Sequence, residues 1–235
     1  MIGNSRFSSS PMSLLKIENL TFRREDRTVL DDVNLTIRRG DFVAITGPNG
    51  GGKTTLLRLL LGLLKPTTGT ITYGRIDGHR PSIGYLPQKN SVDSQFPISV
   101  FEVVSSGLLA DKTMTRRQKE ERVREVLELI DLADYAHRPI GRLSGGQLQR
   151  ALFGRAIISR PEILVLDEPL SYLDNYFEEK LYHIIDDLSR HTTILLVSHQ
   201  MSTISRMANR HLLIDHTVSE CHTPHCHNLR ENTPQ

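Results

Sequence analysis

The chain has 235 residues, 38% of them hydrophobic and 24% charged, a composition that fits one α/β domain with a sizeable core and excludes a disordered or fibrous chain. Twenty-nine Lys and Arg against 27 Asp and Glu leave a formal charge of +2, so bulk electrostatics supplies no drive toward nucleic acid or anionic lipid. The most apolar stretch, Leu56 to Leu64 with Arg58 inside it, is far short of the roughly 20 residues that a membrane-spanning helix needs.

Residues 1–13 are Ser-rich with few large apolar side chains and no apolar h-region. They read as a flexible leader and not as a secretory signal, which places the chain in a reducing cytosol and makes a disulfide between Cys221 and Cys226 unexpected. An α/β domain is expected over residues 14–216. Runs of β-branched and apolar residues predict strands at Ile17 to Phe22, Leu35 to Ile37, Phe42 to Thr46, Ile163 to Leu166, Thr193 to Ser198 and Leu212 to Ile214. Helices fall in the sequence around the last four, so the core sheet is expected to be mainly parallel and buried.

Thr54 to Leu64 is apolar nearly all round and predicts a buried helix. Thr115 and Gln118 form a capping-box pattern ahead of the stripe Val123, Val126, Leu127, Ile130. Phe177, Leu181, Ile184, Ile185 and Leu188 mark a later helix in the same way. The mostly helical stretch from Ser91 to Arg142 interrupts the strand series, and a helical subdomain, about 91–160, is expected as an insertion. After Asp215 the pattern stops, and residues 217–235 read as a polar tail.

Gly47-Pro48-Asn49-Gly50-Gly51-Gly52-Lys53-Thr54 fits the phosphate-loop pattern G-x-x-x-x-G-K-[ST] and sits between a predicted strand and a predicted helix. Glycines let backbone N–H groups turn onto phosphate, and the helix N-terminus adds its positive dipole end. Lys53 is expected to reach the β- and γ-phosphates of ATP, and the Thr54 hydroxyl to bind Mg²⁺. Downstream, the apolar strand Ile163 to Leu166 ends in Asp167-Glu168, at the strand end where open parallel sheets bind ligands. Asp167 is placed to hold Mg²⁺ and Glu168 to act as general base toward water. Leu143-Ser144-Gly145-Gly146-Gln147 offers a second Gly-rich, serine-bearing helix start, a second anion site that one nucleotide in one chain does not need.

With these motifs in hand the sequence resembles the ATP-binding cassette (ABC) ATPases, whose signature is LSGGQ, over roughly Leu14 to Asp215. Further marks follow in order: Gln88 in Gly84-Tyr85-Leu86-Pro87-Gln88 looks like the Q-loop, Ser171-Tyr172-Leu173-Asp174 like the D-loop, and His199 in Val197-Ser198-His199 like the switch histidine. The resemblance implies an α/β P-loop NTPase fold of the ABC type, with an antiparallel β part beside the mainly parallel core sheet and an inserted helical subdomain. It implies a homodimer packed head to tail, in which Ser144, Gly145, Gly146 and Gln147 of one copy, with Asp174, meet the ATP held by residues Gly47 to Thr55 of the other. Gln88 would sense Mg²⁺ and the attacking water, and His199 would hold the γ-phosphate, the water and Glu168 in geometry. One departure stands out: where such cassettes usually carry an adenine-stacking aromatic, this chain has Arg23, Arg24 and Glu25, which leaves Arg24 or Phe22 for that contact.

Phe96-Pro97-Ile98-Ser99-Val100-Phe101-Glu102-Val103-Val104 resembles a stretch of bacterial importers for zinc, manganese and related metals. The implied partners are integral membrane permease subunits and a solute-binding protein, with this chain peripheral on the cytoplasmic face of the membrane. Siderophore and haem importers share much of that pattern and form the alternative cargo classes. A soluble mechanical ABC ATPase is the alternative of another class; such chains usually carry two cassettes or a long coiled-coil insertion, neither visible here. In the tail, Cys221, His222, His225, Cys226 and His227 crowd five soft or borderline ligands into seven residues, with His211 and His216 upstream; a Zn²⁺ site that reports or buffers intracellular metal is one reading, an uncommitted solvated tail the other.

Overall fold

A computed structural model describes residues 12–88, 97–198 and 201–221. Two sheets form the frame. The smaller is antiparallel, in the order β2 (Arg27–Arg38), β1 (Ser13–Arg24), β4 (Thr68–Tyr73). The larger runs β5 (Ile83–Leu86), β6 (Ile163–Asp167), β7 (Thr193–Val197), β3 (Phe42–Thr46), β8 (Arg210–Asp215), β9 (Thr217–Cys221). Its first five strands pair in parallel and β9 closes the edge antiparallel to β8.

The three central strands, FVAIT, ILVLD and TILLV, are buried at every position, as expected of parallel strands covered on both faces. Because side chains alternate across a strand, each divides its residues between two cores. Phe42, Ala44, Leu164, Leu166, Ile194 and Leu196 join one core. Val43, Ile45, Ile163, Val165, Leu195 and Val197 join the other. The first core is shared with α2 (Val100–Ser105), α3 (Arg116–Leu129), α4 (Gly145–Ile157) and α5 (Asn175–Ser189). The second is covered by α1 (Lys53–Leu60), through Leu56, Leu57, Leu59 and Leu60, and by the antiparallel sheet. A last helix, α6 (Met201–Met207), precedes β8. Among the described residues no helix is long and apolar enough to cross a membrane.

Three local readings change. The helix expected over Thr54 to Leu64 stops at Leu60, where Gly62 takes φ +72 and turns the chain away. Strands β4 and β5 carry too few consecutive large apolar residues to stand out; the pleat of β4 is half polar and β5 spans four residues. The tail expected from residue 217 begins later, because Thr217–Cys221 forms an edge strand whose pairing runs from Asp215↔Thr217 to His211↔Cys221. Only Val218 in that strand is a large apolar residue, so its alternation is invisible without β8 beside it.

Candidate functional site

The phosphate-loop residues connect β3 to α1, and their conformation depends on glycine at two points. Gly47 has φ +141, and a Cβ there would stand 1.9 Å from the Ile214 carbonyl oxygen. Gly52, the N-cap of α1, has φ +102, and a Cβ would meet Leu30 Cδ2 at 2.7 Å. No side chain caps α1, so its first N–H groups are left for an anion. Lys53 folds back over the loop: Nζ donates to the carbonyls of Gly47 at 2.8 Å and Pro48 at 2.9 Å. Burial lowers its pKa, and the carboxylates of Glu168 and Asp167 oppose that shift.

From the opposite wall, β6 delivers Asp167 at its C-terminal end. Asp167 is fully buried. Its Oδ2 accepts the Thr54 hydroxyl at 2.9 Å, while Oδ1 is buried with no hydrogen-bond partner. Burial raises its pKa; the Thr54 hydrogen bond works the other way, and the Glu168 charge adds to the rise. A hard-oxygen pair from a hydroxyl and a carboxylate, with one buried oxygen unsatisfied, is a donor set that fits Mg²⁺. Glu168 follows in the left-handed region at φ +52, rare for a residue with a long side chain and the kind of local strain that collects at functional sites. Its backbone N–H is fixed by Val197 O at 3.0 Å. A cleft lined by Asn49, Gly50, Gly52, Lys53, Thr54, Thr55, Gln88 and Glu168 opens between these walls. Gln88 enters it from just past β5.

The signature residues do not line that cleft. Ser144 is the N-cap of α4 in a reciprocal capping box: its Oγ accepts Gln147 N–H at 3.2 Å and Gln147 Oε1 accepts Ser144 N–H at 3.0 Å. Gly145 and Gly146 lie against Tyr172; a Cβ on Gly146 would reach the Tyr172 carbonyl oxygen at 2.7 Å. Tyr172 has φ +70 and is 78% exposed, and Tyr176, in the first turn of α5, is 71% exposed. Asp174 caps α5, accepting Phe177 N–H at 2.8 Å. In the antiparallel sheet Phe22 packs on the second core, Arg23 Nε bonds Thr28, and Arg24 is exposed at the β1–β2 turn.

His199 lies outside the described residues, as do His222, His225, Cys226 and His227. Cys221 ends β9 directly opposite His211 of β8. Among the described residues no group of three or more His, Cys, Asp or Glu is arranged to hold a metal. Residue-by-residue reading missed Gln149, buried on α4, whose Nε2 donates to Pro169 O at 3.4 Å and ties the signature helix to the segment after the carboxylates. The available signal was a polar residue at an apolar-face position of that helix.

The family profile described as ABC transporter matches residues 30–171. A relative named "Probable metal transport system ATP-binding protein" from Chlamydia trachomatis is 41% identical over 209 residues, 86% of this chain and 89% of that protein. The "High-affinity zinc uptake system ATP-binding protein ZnuC" of Bacillus subtilis is 36% identical, covering 85% of this chain and 90% of its own length. Among solved structures, the dimeric post-hydrolysis state of the cassette MJ0796 bound to ADP and Pi aligns with TM-score 0.78 at 27% identity, over 89% of this chain and 98% of that one.

Proposed function

We propose, from the premise that this chain belongs to the ABC transporter family, that it is the ATP-hydrolysing subunit of a membrane importer for a divalent metal ion, zinc or manganese. One observation carries the enzymatic part: Asn49, Gly50 and Gly52 to Thr55 of the phosphate loop line one cleft with Gln88 and Glu168, and the buried Asp167 is bonded to Thr54 in its wall. The cargo rests on the resemblance of Phe96 to Val104 to metal importers and on relatives whose names specify metal transport and zinc uptake.

In this reading Gly47 to Thr55 wrap the triphosphate with backbone N–H groups, and Lys53 exchanges its two carbonyl contacts for β- and γ-phosphate oxygens. Thr54, Asp167 and Gln88 would hold Mg²⁺, which when bound would neutralise charge on the phosphates. Glu168 takes a proton from the attacking water, and His199 keeps water, γ-phosphate and Glu168 aligned; both act through position. Two copies pack head to tail, so that Ser144, Gly145, Gly146, Gln147 and Asp174 of one complete the site of the other. The exposure of Tyr172 against the signature glycines supports that surface as an interface. Adenine is held at the β1–β2 turn by Arg24 or Phe22; the exposure of Arg24 supports the guanidinium.

The further partners are integral permease subunits and a solute-binding protein, with the cassette peripheral on the cytoplasmic face of the membrane. Domain limits follow: leader 1–13, a cassette from 14 that with β9 runs on past 216 to Cys221 and carries a helical insertion at about 91–160, and a tail whose His222, His225, Cys226 and His227 form a zinc site with Cys221. Ligand density and the His211↔Cys221 pairing support that site. The decisive experiment co-reconstitutes the chain with a candidate permease and follows labelled zinc, manganese, haem and ferric siderophore. ATP-driven zinc or manganese uptake is expected; uptake of a haem or siderophore instead overturns the cargo.

A further inference from the structure

The turn between β8 and β9 is bonded to the phosphate loop through a single residue. His216 N–H donates to Gly51 O at 2.9 Å, and His216 O accepts Asp31 N–H at 2.7 Å. The ring nitrogen Nδ1 lies 3.2 Å from Val29 O, a distance that makes it a hydrogen-bond donor in the Nδ1–H tautomer. His216 therefore joins the loop to β2 on one side and to the sheet edge on the other. To do so it adopts φ +58, a left-handed conformation uncommon for residues other than Gly, though Asn, Asp and His enter it several-fold more often than the rest. The loop is pressed on the same turn at a second place, since a Cβ on Gly51 would lie 2.7 Å from Ile214 O.

The consequence lies in the peptide between Gly51 and Gly52. It is planar and trans, with no cis bond present among the described residues, so its C=O and N–H point in opposite directions. Holding Gly51 O outward onto His216 forces Gly52 N–H the other way, and Gly52 is one of the residues that line the cleft. We infer that His216 is a positioning residue for nucleotide binding: its backbone N–H fixes the Gly51–Gly52 peptide so that Gly52 N–H faces the phosphate. This rests on the reading of the cleft as the triphosphate site. It assigns to the β8–β9 turn a role that neither the phosphate-loop pattern nor the carboxylates specify.

Because the N–H, and not the ring, does this work, the determining property of residue 216 is tolerance of positive φ. The test measures MgADP affinity by calorimetry in the full chain, well below each variant's melting temperature, for His216→Gly, His216→Asn, His216→Ala and His216→Val. Gly and Asn should bind within about twofold of the natural chain, Ala more weakly, and Val weaker by about fivefold or more, in order of their cost in the left-handed region. Circular dichroism establishes folding, and if Val does not fold the Gly against Ala comparison decides. Folded Ala or Val variants with undiminished affinity overturn the inference, as does His216→Gly binding as weakly as His216→Val, which would assign the effect to the ring. Failure of the natural chain to bind MgADP overturns the nucleotide reading, and this inference with it.

Discussion

Thr54 and Asp167 stand 113 positions apart and share one hydrogen bond, from the Thr54 hydroxyl to Asp167 Oδ2 at 2.9 Å. The bond aligns the first turn of α1 with the end of β6 and leaves Asp167 Oδ1 buried and unsatisfied. An unpaired buried carboxylate oxygen opposes folding. Its presence where a hydroxyl already points is what a preformed cation site requires.

Burial raises the Asp167 pKa in the folded chain. A carboxyl with a raised folded pKa contributes its full stability only below its unfolded pKa, and that contribution is lost as pH rises through the folded value. At neutral pH the desolvated charge therefore works against the fold. Asp167→Asn removes the charge and keeps an oxygen for Thr54, so the nucleotide-free variant should melt above the natural chain at pH 7. The gap should close toward about pH 4, the ordinary carboxylate range. Thermal unfolding across pH checks the first effect; nucleotide titration with and without Mg²⁺ should reveal loss of the Mg²⁺-dependent component.

Glu168→Gln preserves size and hydrogen bonding but not basicity. MgATP binding should persist while turnover falls by about 10² to 10⁴-fold, and the variant should accumulate as a dimer in sedimentation under saturating MgATP. Turnover at the natural rate would remove Glu168 from the role of base.

Gly146→Ala places a Cβ 2.7 Å from the Tyr172 carbonyl oxygen, so α4 must move away from the Tyr172 segment. Since Gly146 does not line the cleft, MgADP affinity of the single chain should stay within about twofold while ATPase rate and MgATP-dependent dimerisation drop together. A parallel loss of MgADP affinity would contradict the assignment of the signature to the partner's nucleotide.

Truncation of the tail must respect β9. Arg210 grips Glu220 through Nε at 2.6 Å and Nη2 at 2.8 Å, and also binds Asp41. Ending the chain at His216 removes Glu220 and exposes the edge of β8, which should lower the melting temperature by about 4 °C or more. Ending it at Cys221 keeps the strand and should leave stability unchanged while abolishing any effect of zinc on ATPase rate. A zinc response that survives the shorter tail would end the regulatory reading of residues 222–227.

The motifs were legible from neighbouring residues alone. The spacing Gly47 to Thr54, the apolar run ending in Asp167-Glu168 and the Leu143 to Gln147 signature each depend on contiguous residues, because a loop, a strand end and a helix cap are local objects. For the same reason the central strands and the long amphipathic helices were legible. Tertiary structure alone decided what depends on residues far apart in the chain. It paired Thr54 with Asp167, kept Ser144 out of the cleft that Lys53 lines, recruited Thr217–Cys221 as an edge strand, and set His216 against Gly51. Each of these is a hydrogen bond, or the lack of one, between segments whose local patterns carry no record of each other.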